Sequence, residues 1–281
     1  MRTKSKVLLV TRRFVLYVLI ITSLFPPLWM LATSLKRPVD ALAHPPKILF
    51  IPTFDNYREL FSFSSDWEGY YILRRYLPNS LLLASVSTLL TLGIAILGAF
   101  SVSRYRFPGR RLIMFAVICT RMFAPIAMVI PLFIMINSIG LTDSRIALII
   151  IYTGINLPFA IWMLKGFIDE IPATLEDAAM VDGCSRFASL LRVTFPLIAP
   201  GVAAIGIFTF LVSWNDFAIA FFLVSKNAKT LPLQATAFIT EVGLHWGPMS
   251  AYGTIIMLPA LFFGYYCQKY IIRGLTMGAV K

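Results

Sequence analysis

The sequence predicts an all-α, polytopic membrane protein: a single transmembrane domain with six transmembrane helices and one structured loop on the inner side. Three observations carry that reading. Of 281 residues, 58% are hydrophobic and only 14% charged, where soluble domains carry about 25% charged residues. The apolar residues gather in six long blocks, about 14–34, 80–102, 112–136, 146–165, 198–224 and 249–270, each near the roughly 20 residues a helix needs to cross the hydrocarbon layer. Most of the basic residues behind the net charge of +12 lie between these blocks, which points to membrane topology rather than nucleic-acid binding.

Within lipid every backbone polar group must be bonded internally, so a spanning block is a helix or part of a closed barrel. Barrel strands alternate apolar and polar residues; runs such as Ile146 to Tyr152 do not. The first block follows Arg2, Lys4, Lys6, Arg12 and Arg13. It resembles a signal peptide but is too long and lacks a small-x-small cleavage site, so it is expected to stay as the first span. The connection 35–79 holds Pro38, Pro45, Pro46, Pro52 and Pro78 and aromatic residues from Phe54 to Tyr76. A structureless loop of that length is unusual, and short helices on the outer surface are expected there. Arg104, Arg106, Arg110 and Arg111 crowd the short loop after the second block. Lys165, Arg186 and Arg192 separate the fourth and fifth, and Lys269, Arg273 and Lys281 end the chain. The outward connections are more dilute in Lys and Arg, which places both termini in the cytoplasm. Cys119, Cys184 and Cys267 are too widely spaced for a disulfide framework or a zinc site.

The inward connection 171–196 carries the most information. Pro172 breaks the preceding helix. Thr174 and Asp177 have the spacing of a capping box, and Gly183 fits the position just past a helix end. Ser185 suits the start of a second short helix through Val193, with Pro196 and Pro200 stopping it before the fifth span. The first helix presents Leu175, Ala178, Ala179 and Val181 beside Glu176, Asp177 and Asp182. Helices lying on lipid favour Lys and Arg opposite large apolar residues; acids with alanines suit a protein partner better.

The run Asp177-Ala178-Ala179, three residues, Gly183, nine residues and Val193-Thr194-Phe195-Pro196 resembles the EAA loop of ABC importer permeases, E-A-A-x3-G-x9-I-x-L-P. Asp177, Val193 and Phe195 depart conservatively from that pattern, and the spacing is intact. Asn56-Tyr57, Arg75-Tyr76-Leu77-Pro78-Asn79-Ser80, Trp214-Asn215-Asp216-Phe217 and the tail from Gly274 to Lys281 are similar to carbohydrate-type permeases, above all the second permease of maltose-type importers. The resemblance implies a multi-pass protein of the bacterial cytoplasmic (inner) membrane. It implies a second permease subunit, two ATPase subunits that use ATP and Mg, and an extracytoplasmic substrate-binding protein. It makes Glu176, Asp177, Ala178, Ala179, Asp182, Gly183 and Pro196 the ATPase-coupling residues of a cytoplasmic coupling helix.

The chain has no Gly-x4-Gly-Lys-[Ser/Thr] loop, so ATP hydrolysis is expected in a partner, with no cofactor or metal bound by this chain and no catalytic residue. His44 and His245 are about two hundred residues apart and pair with no nucleophile or ligand set. Ionisable groups inside spans point to function or to structural pairing. Arg121 in the third block and Asp216 in the fifth are candidates for either, and they could pair with each other. Tyr152, Asn156, Trp214 and Asn215 add the aromatic and amide groups that a sugar pathway uses. Interhelical bonding explains the same residues equally well. The outward segment from Thr230 to Gly247, with Gln234, Glu241, His245 and Trp246, is a candidate contact for the binding protein or a cover over the pathway.

The expected function is ATP-driven import of a sugar or sugar-like solute by alternating access. The alternatives are an ion-coupled secondary transporter, for which paired intramembrane charges and inverted repeats are expected, and an ABC permease for a non-carbohydrate solute.

Overall fold

The computed structural model describes residues 2–61, 72–240 and 243–277. Among the described residues the fold is mainly helical, with five helices long and apolar enough to cross a membrane and one shorter apolar helix. The chain forms two compact units: Met1–Ile72 with Ala235–Leu258, and Leu73–Gln234 with Pro259–Lys281.

In the first unit α1 (Arg2–Ser34) is the expected first span. The short helices expected after it are α2 (Pro38–Ala41) and α3 (Asp55–Phe61); most of the aromatic run beyond Phe54 lies outside the described residues. The Asn56-Tyr57 pair fastens α3 to the end of α1. Asn56 Nδ2 donates to the carbonyls of Ser34 and Lys36 at 2.8 and 2.9 Å, and the Tyr57 and Ser34 hydroxyls share a 2.7 Å bond.

The second unit is built on α4 (Leu77–Arg104), α7 (Arg145–Asp169) and α10 (Phe195–Trp214). The buried face of α4 carries Ser80, Ala84, Ser87, Thr91, Ala95 and Ala99. Small side chains at helical spacing allow close helix approach where lipid supplies no hydrophobic drive between helices. Two apolar clusters flank this contact. One includes Leu83, Leu148, Ile151 and Leu223; the other includes Phe100, Leu164, Ile168, Ile198 and Ile205.

The third expected span is not one helix. It divides into α5 (Arg110–Thr120) and α6 (Pro125–Ser138). Proline disfavours the helical conformation in the residue before it, and Ala124 adopts φ −63°, ψ 130°. Arg121 therefore sits in a break, not deep within a continuous span. The fifth expected span also ends early. α10 stops at Trp214, and a short α11 (Ala218–Leu223) resumes after Asn215, Asp216 and Phe217.

Between α6 and α7 lies Asp143, in the left-handed region at φ 56°. Its carboxylate accepts from the backbone N–H groups of Ser225, Lys226, Asn227 and Ala228. The Arg75-to-Ser80 signature binds the same stretch of chain. Arg75 donates to the Lys226 carbonyl, and Asn79 donates to the carbonyls of Asn227 and Lys229. Ser80 Oγ accepts from the Leu231 N–H at 2.7 Å. These residues thus hold backbone rather than a ligand.

The second unit then runs through α12 (Leu231–Gln234). In the first unit β1 (Ile239–Thr240) and β2 (Gly243–Leu244) pair antiparallel, with Ile239 opposite Leu244. The last helix is α13 (Trp246–Met277).

Candidate functional site

The connection 171–196 holds a helix, a glycine turn and a second helix. α8 spans Thr174–Val181, and α9 spans Arg186–Ser189. Cys184 N–H donates to the Ala179 carbonyl and Gly183 N–H to that of Met180, with Gly183 at φ +89°. That is the double closure of a helix ending on a left-handed residue. Ser185 caps α9, accepting from the Ala188 N–H at 3.2 Å. The loop differs from the sequence expectation in two places. No side chain caps α8, so Thr174 and Asp177 form no capping box. Pro196 does not separate the loop from the fifth span: α9 continues through a π-turn, Leu190–Thr194, into α10. Pro196 and Pro200 both fall inside that helical run, and the π-turn just before Pro196 relaxes the regular hydrogen-bond ladder where its missing N–H would otherwise break it.

α8 is amphipathic in a specific way. Leu175, Ala178 and Val181 form an exposed stripe, with Val181 88% exposed, and Asp177 and Asp182 are exposed beside it. Ala179 is half-buried, and Pro196 is exposed. Glu176, expected among the docking residues, turns the other way and is 5% exposed. Its Oε1 accepts from Arg104 Nε at 2.9 Å and from Thr194 Oγ1 at 2.7 Å. Arg104 Nη2 also donates to the carbonyls of Ile168 and Ile171. Arg104 and Thr194 were not legible as site residues; Arg104 counted only as one of several basic residues in a short loop.

The candidate pathway residues divide into buried and exposed sets. Tyr152 and Asn156 are each 2% exposed and Trp214 1%, so they pack between helices rather than face an opening. Tyr152 Oη donates to Asp216 Oδ2 at 2.9 Å. Asn156 Nδ2 donates to Ser213 Oγ at 3.0 Å, and Ser213 Oγ lies 3.4 Å from Ser87 Oγ. A polar seam thus joins α4, α7 and α10. Asp216 also accepts from the N–H groups of Ile219 and Ala220, capping α11. The Arg121–Asp216 ion pair is not formed: Asp216 is held by Tyr152, and the Arg121 guanidinium stands 5.1 Å over the Phe159 ring. Phe159 in turn packs 4.4 Å from Phe208. Asn215 and Phe217 are exposed at the α10–α11 break, as Arg121 is at the α5–α6 break.

In the segment from Thr230 to Gly247, Gln234 is buried, and Glu241 lies outside the described residues. His245 and Trp246 border a cavity of about 670 Å³ with Arg37, Asp55 and Glu59, all within the first unit. Among the described residues no cluster of three or more His, Cys, Asp or Glu side chains could hold a metal ion.

Residues 92–277 match the family described as binding-protein-dependent transport system inner membrane component. The chain belongs to that family. The permease protein of the diacetylchitobiose uptake system of Streptomyces coelicolor is 35% identical over 266 residues, covering 94% of each chain. A trehalose/maltose transport system permease protein of Thermococcus litoralis is 34% identical, covering 93% of this chain and 92% of the relative. A sulfoquinovosyl glycerol transport system permease protein of Agrobacterium fabrum is also 34% identical, over 94% of this chain and 91% of its own length. In fold, the chain resembles a bacterial ABC transporter involved in import of the acidic polysaccharide alginate, with a TM-score of 0.77 at 20% identity, over 94% of this chain and 96% of the other. The chain is thus a membrane-spanning permease of a binding-protein-dependent importer, as the loop motif implied.

Proposed function

We propose that this permease carries a sugar or sugar-like solute across the bacterial inner membrane, with both termini in the cytoplasm, in a complex with a second permease, two ATPase subunits and an extracytoplasmic binding protein. ATP and Mg belong to the ATPase subunits, and this chain contributes no catalytic group. The observation that carries the reading is the exposed α8 stripe. Leu175, Ala178 and Val181 offer a narrow apolar ridge beside Asp177 and Asp182, a surface that fits a protein groove better than an anionic lipid face. α8 is the coupling helix in this account: ATP closes the ATPase pair, the pair moves α8, and the spans reorient around the solute.

Asn215 and Phe217 are the best-placed solute contacts of this chain. They are exposed where α10 gives way to α11, and interrupted helices at membrane depth are tolerated where they line a cavity. An amide beside an aromatic face suits a carbohydrate, and the diacetylchitobiose and trehalose/maltose relatives support that solute class. Arg121, exposed at the other break, is a second pathway candidate. His245 and Trp246 border an outward cavity suited to the binding protein. The test is uptake by the reconstituted complex of diacetylchitobiose, trehalose and maltose against amino acids and inorganic ions, with ATP required inside. Import of any of these sugars that needs the ATPase subunits supports the assignment. Sodium- or proton-driven uptake by this chain alone contradicts it.

A further inference from the structure

We propose that Glu176 is a positioning residue that turns motion of α8 into motion of α4 and α10; the inference rests on the docking role of α8 proposed above. One carboxylate oxygen joins three elements. Glu176 stands in the first turn of α8, Arg104 is the last residue of α4, and Thr194 lies in the π-turn that leads into α10. The other end of the Arg104 guanidinium grips the carbonyls of Ile168 and Ile171, where α7 gives way to the loop.

α8 has eight residues, too few to be stable alone, and most of its surface is exposed. Its covalent attachments run through Pro172 on one side and Gly183 on the other. A loop held only there would swivel without moving the spans. The Glu176 contacts remove that freedom, because charge-assisted hydrogen bonds are directional and strong where water is excluded. The Arg104 and Glu176 side chains are only 11% and 7% exposed. Buried ion pairs add little to stability over a well-packed apolar replacement. A force-transmitting link is a role that such a replacement would not supply.

The test uses the complete importer complex in proteoliposomes, with Cys119, Cys184 and Cys267 replaced by serine and Asn215→Cys as a reporter. The rate at which a membrane-impermeant maleimide labels that cysteine is read with and without ATP. Glu176→Gln and Thr194→Val leave the exposed face of α8 intact, so both are expected to copurify with the ATPase subunits; Glu176→Gln, which leaves the buried Arg104 without its charged partner, is expected to melt lower than Thr194→Val. The ATP-dependent change in labelling is expected to fall at least about fivefold in Glu176→Gln, and by less in Thr194→Val. The exchange Arg104→Glu with Glu176→Arg is expected to restore part of it. An undiminished labelling response in Glu176→Gln, with the ATPase subunits bound, overturns the proposal and leaves the docking role standing. If Glu176→Gln does not fold, Thr194→Val decides: an unchanged response contradicts the link and a reduced one supports it. A parental complex that retains no ATPase overturns the docking role itself.

Discussion

Tyr152 donates its hydroxyl proton to the Asp216 carboxylate across 2.9 Å, tying the middle of α7 to the break between α10 and α11. Asp216 also accepts from the backbone N–H groups of Ile219 and Ala220. One side chain therefore both starts α11 and anchors it. Tyr152→Phe removes the link without changing the ring's packing. Hydrogen bonds to charged groups contribute about 1.5–3 kcal/mol, and a loss of that size in the thermal stability of the detergent-solubilised chain is expected. A Tyr152→Phe protein that melts with the parent would show that the carboxylate is satisfied without α7.

Gly183 closes α8 in the left-handed region at φ +89°. That conformation costs L-residues about 1–2 kcal/mol, and β-branched side chains suffer most. Gly183→Val is expected to lower ATP-driven uptake and the amount of ATPase recovered with the chain. Gly183→Asn is expected to retain more of both, since asparagine tolerates this conformation. Equal uptake by the two variants would mean that the turn geometry is irrelevant to coupling.

Asp143 faces a cradle of four successive N–H groups. Partial burial alone would raise its pKa, but the bonds from Asn227, Ala228, Lys226 and Ser225 outweigh it and hold the carboxyl below its ordinary value. The sign follows from linkage: a carboxyl depressed on folding stabilises the fold above its unfolded pKa and loses that contribution as pH falls through the folded one. Asp143→Asn is therefore expected to melt below the parent at neutral pH, with the gap closing as the pH drops below the usual carboxylate range. A gap that stays constant from neutral to acid would contradict the cradle's electrostatic role.

Gly201 on α10 has no room for a side chain. A Cβ there would lie 2.8 Å from the Phe167 ring of α7. Overpacking of this kind costs about 1–3 kcal/mol, so Gly201→Ala is expected to reduce stability by that order, with Phe167→Leu in the same chain recovering part of the loss. Equal melting of Gly201→Ala and the parent would show that the ring moves aside freely.

Much of this was legible in the sequence because it depends on local chemistry. Span length, the glycine turn at Gly183 and the Ser185 cap follow from residue type and spacing alone. The breaks were harder to see. Hydropathy runs smoothly through Arg121 and through Asn215, and only the conformational demand of Pro125 and the capping power of Asp216 reveal that the helices stop. The direction of Glu176 was not legible at all. It depends on Arg104 and Thr194, 72 and 18 residues away, and the sequence shows three neighbouring acids without showing which one turns inward. The same holds for Tyr152 and Asn156, whose polar groups suit a solute as well as they suit a neighbouring helix.

Docking of the exposed α8 ridge on an ATPase subunit is open to site-specific photo-crosslinking. A photoreactive residue is placed at Ala178 or Val181 on the ridge, or at Leu49 in the connection between α2 and α3, and the chain is expressed with its partners. ATPase adducts are expected from Ala178 and Val181 and none from Leu49. Adducts from the ridge to lipid alone, with the ATPase unlabelled, would contradict it.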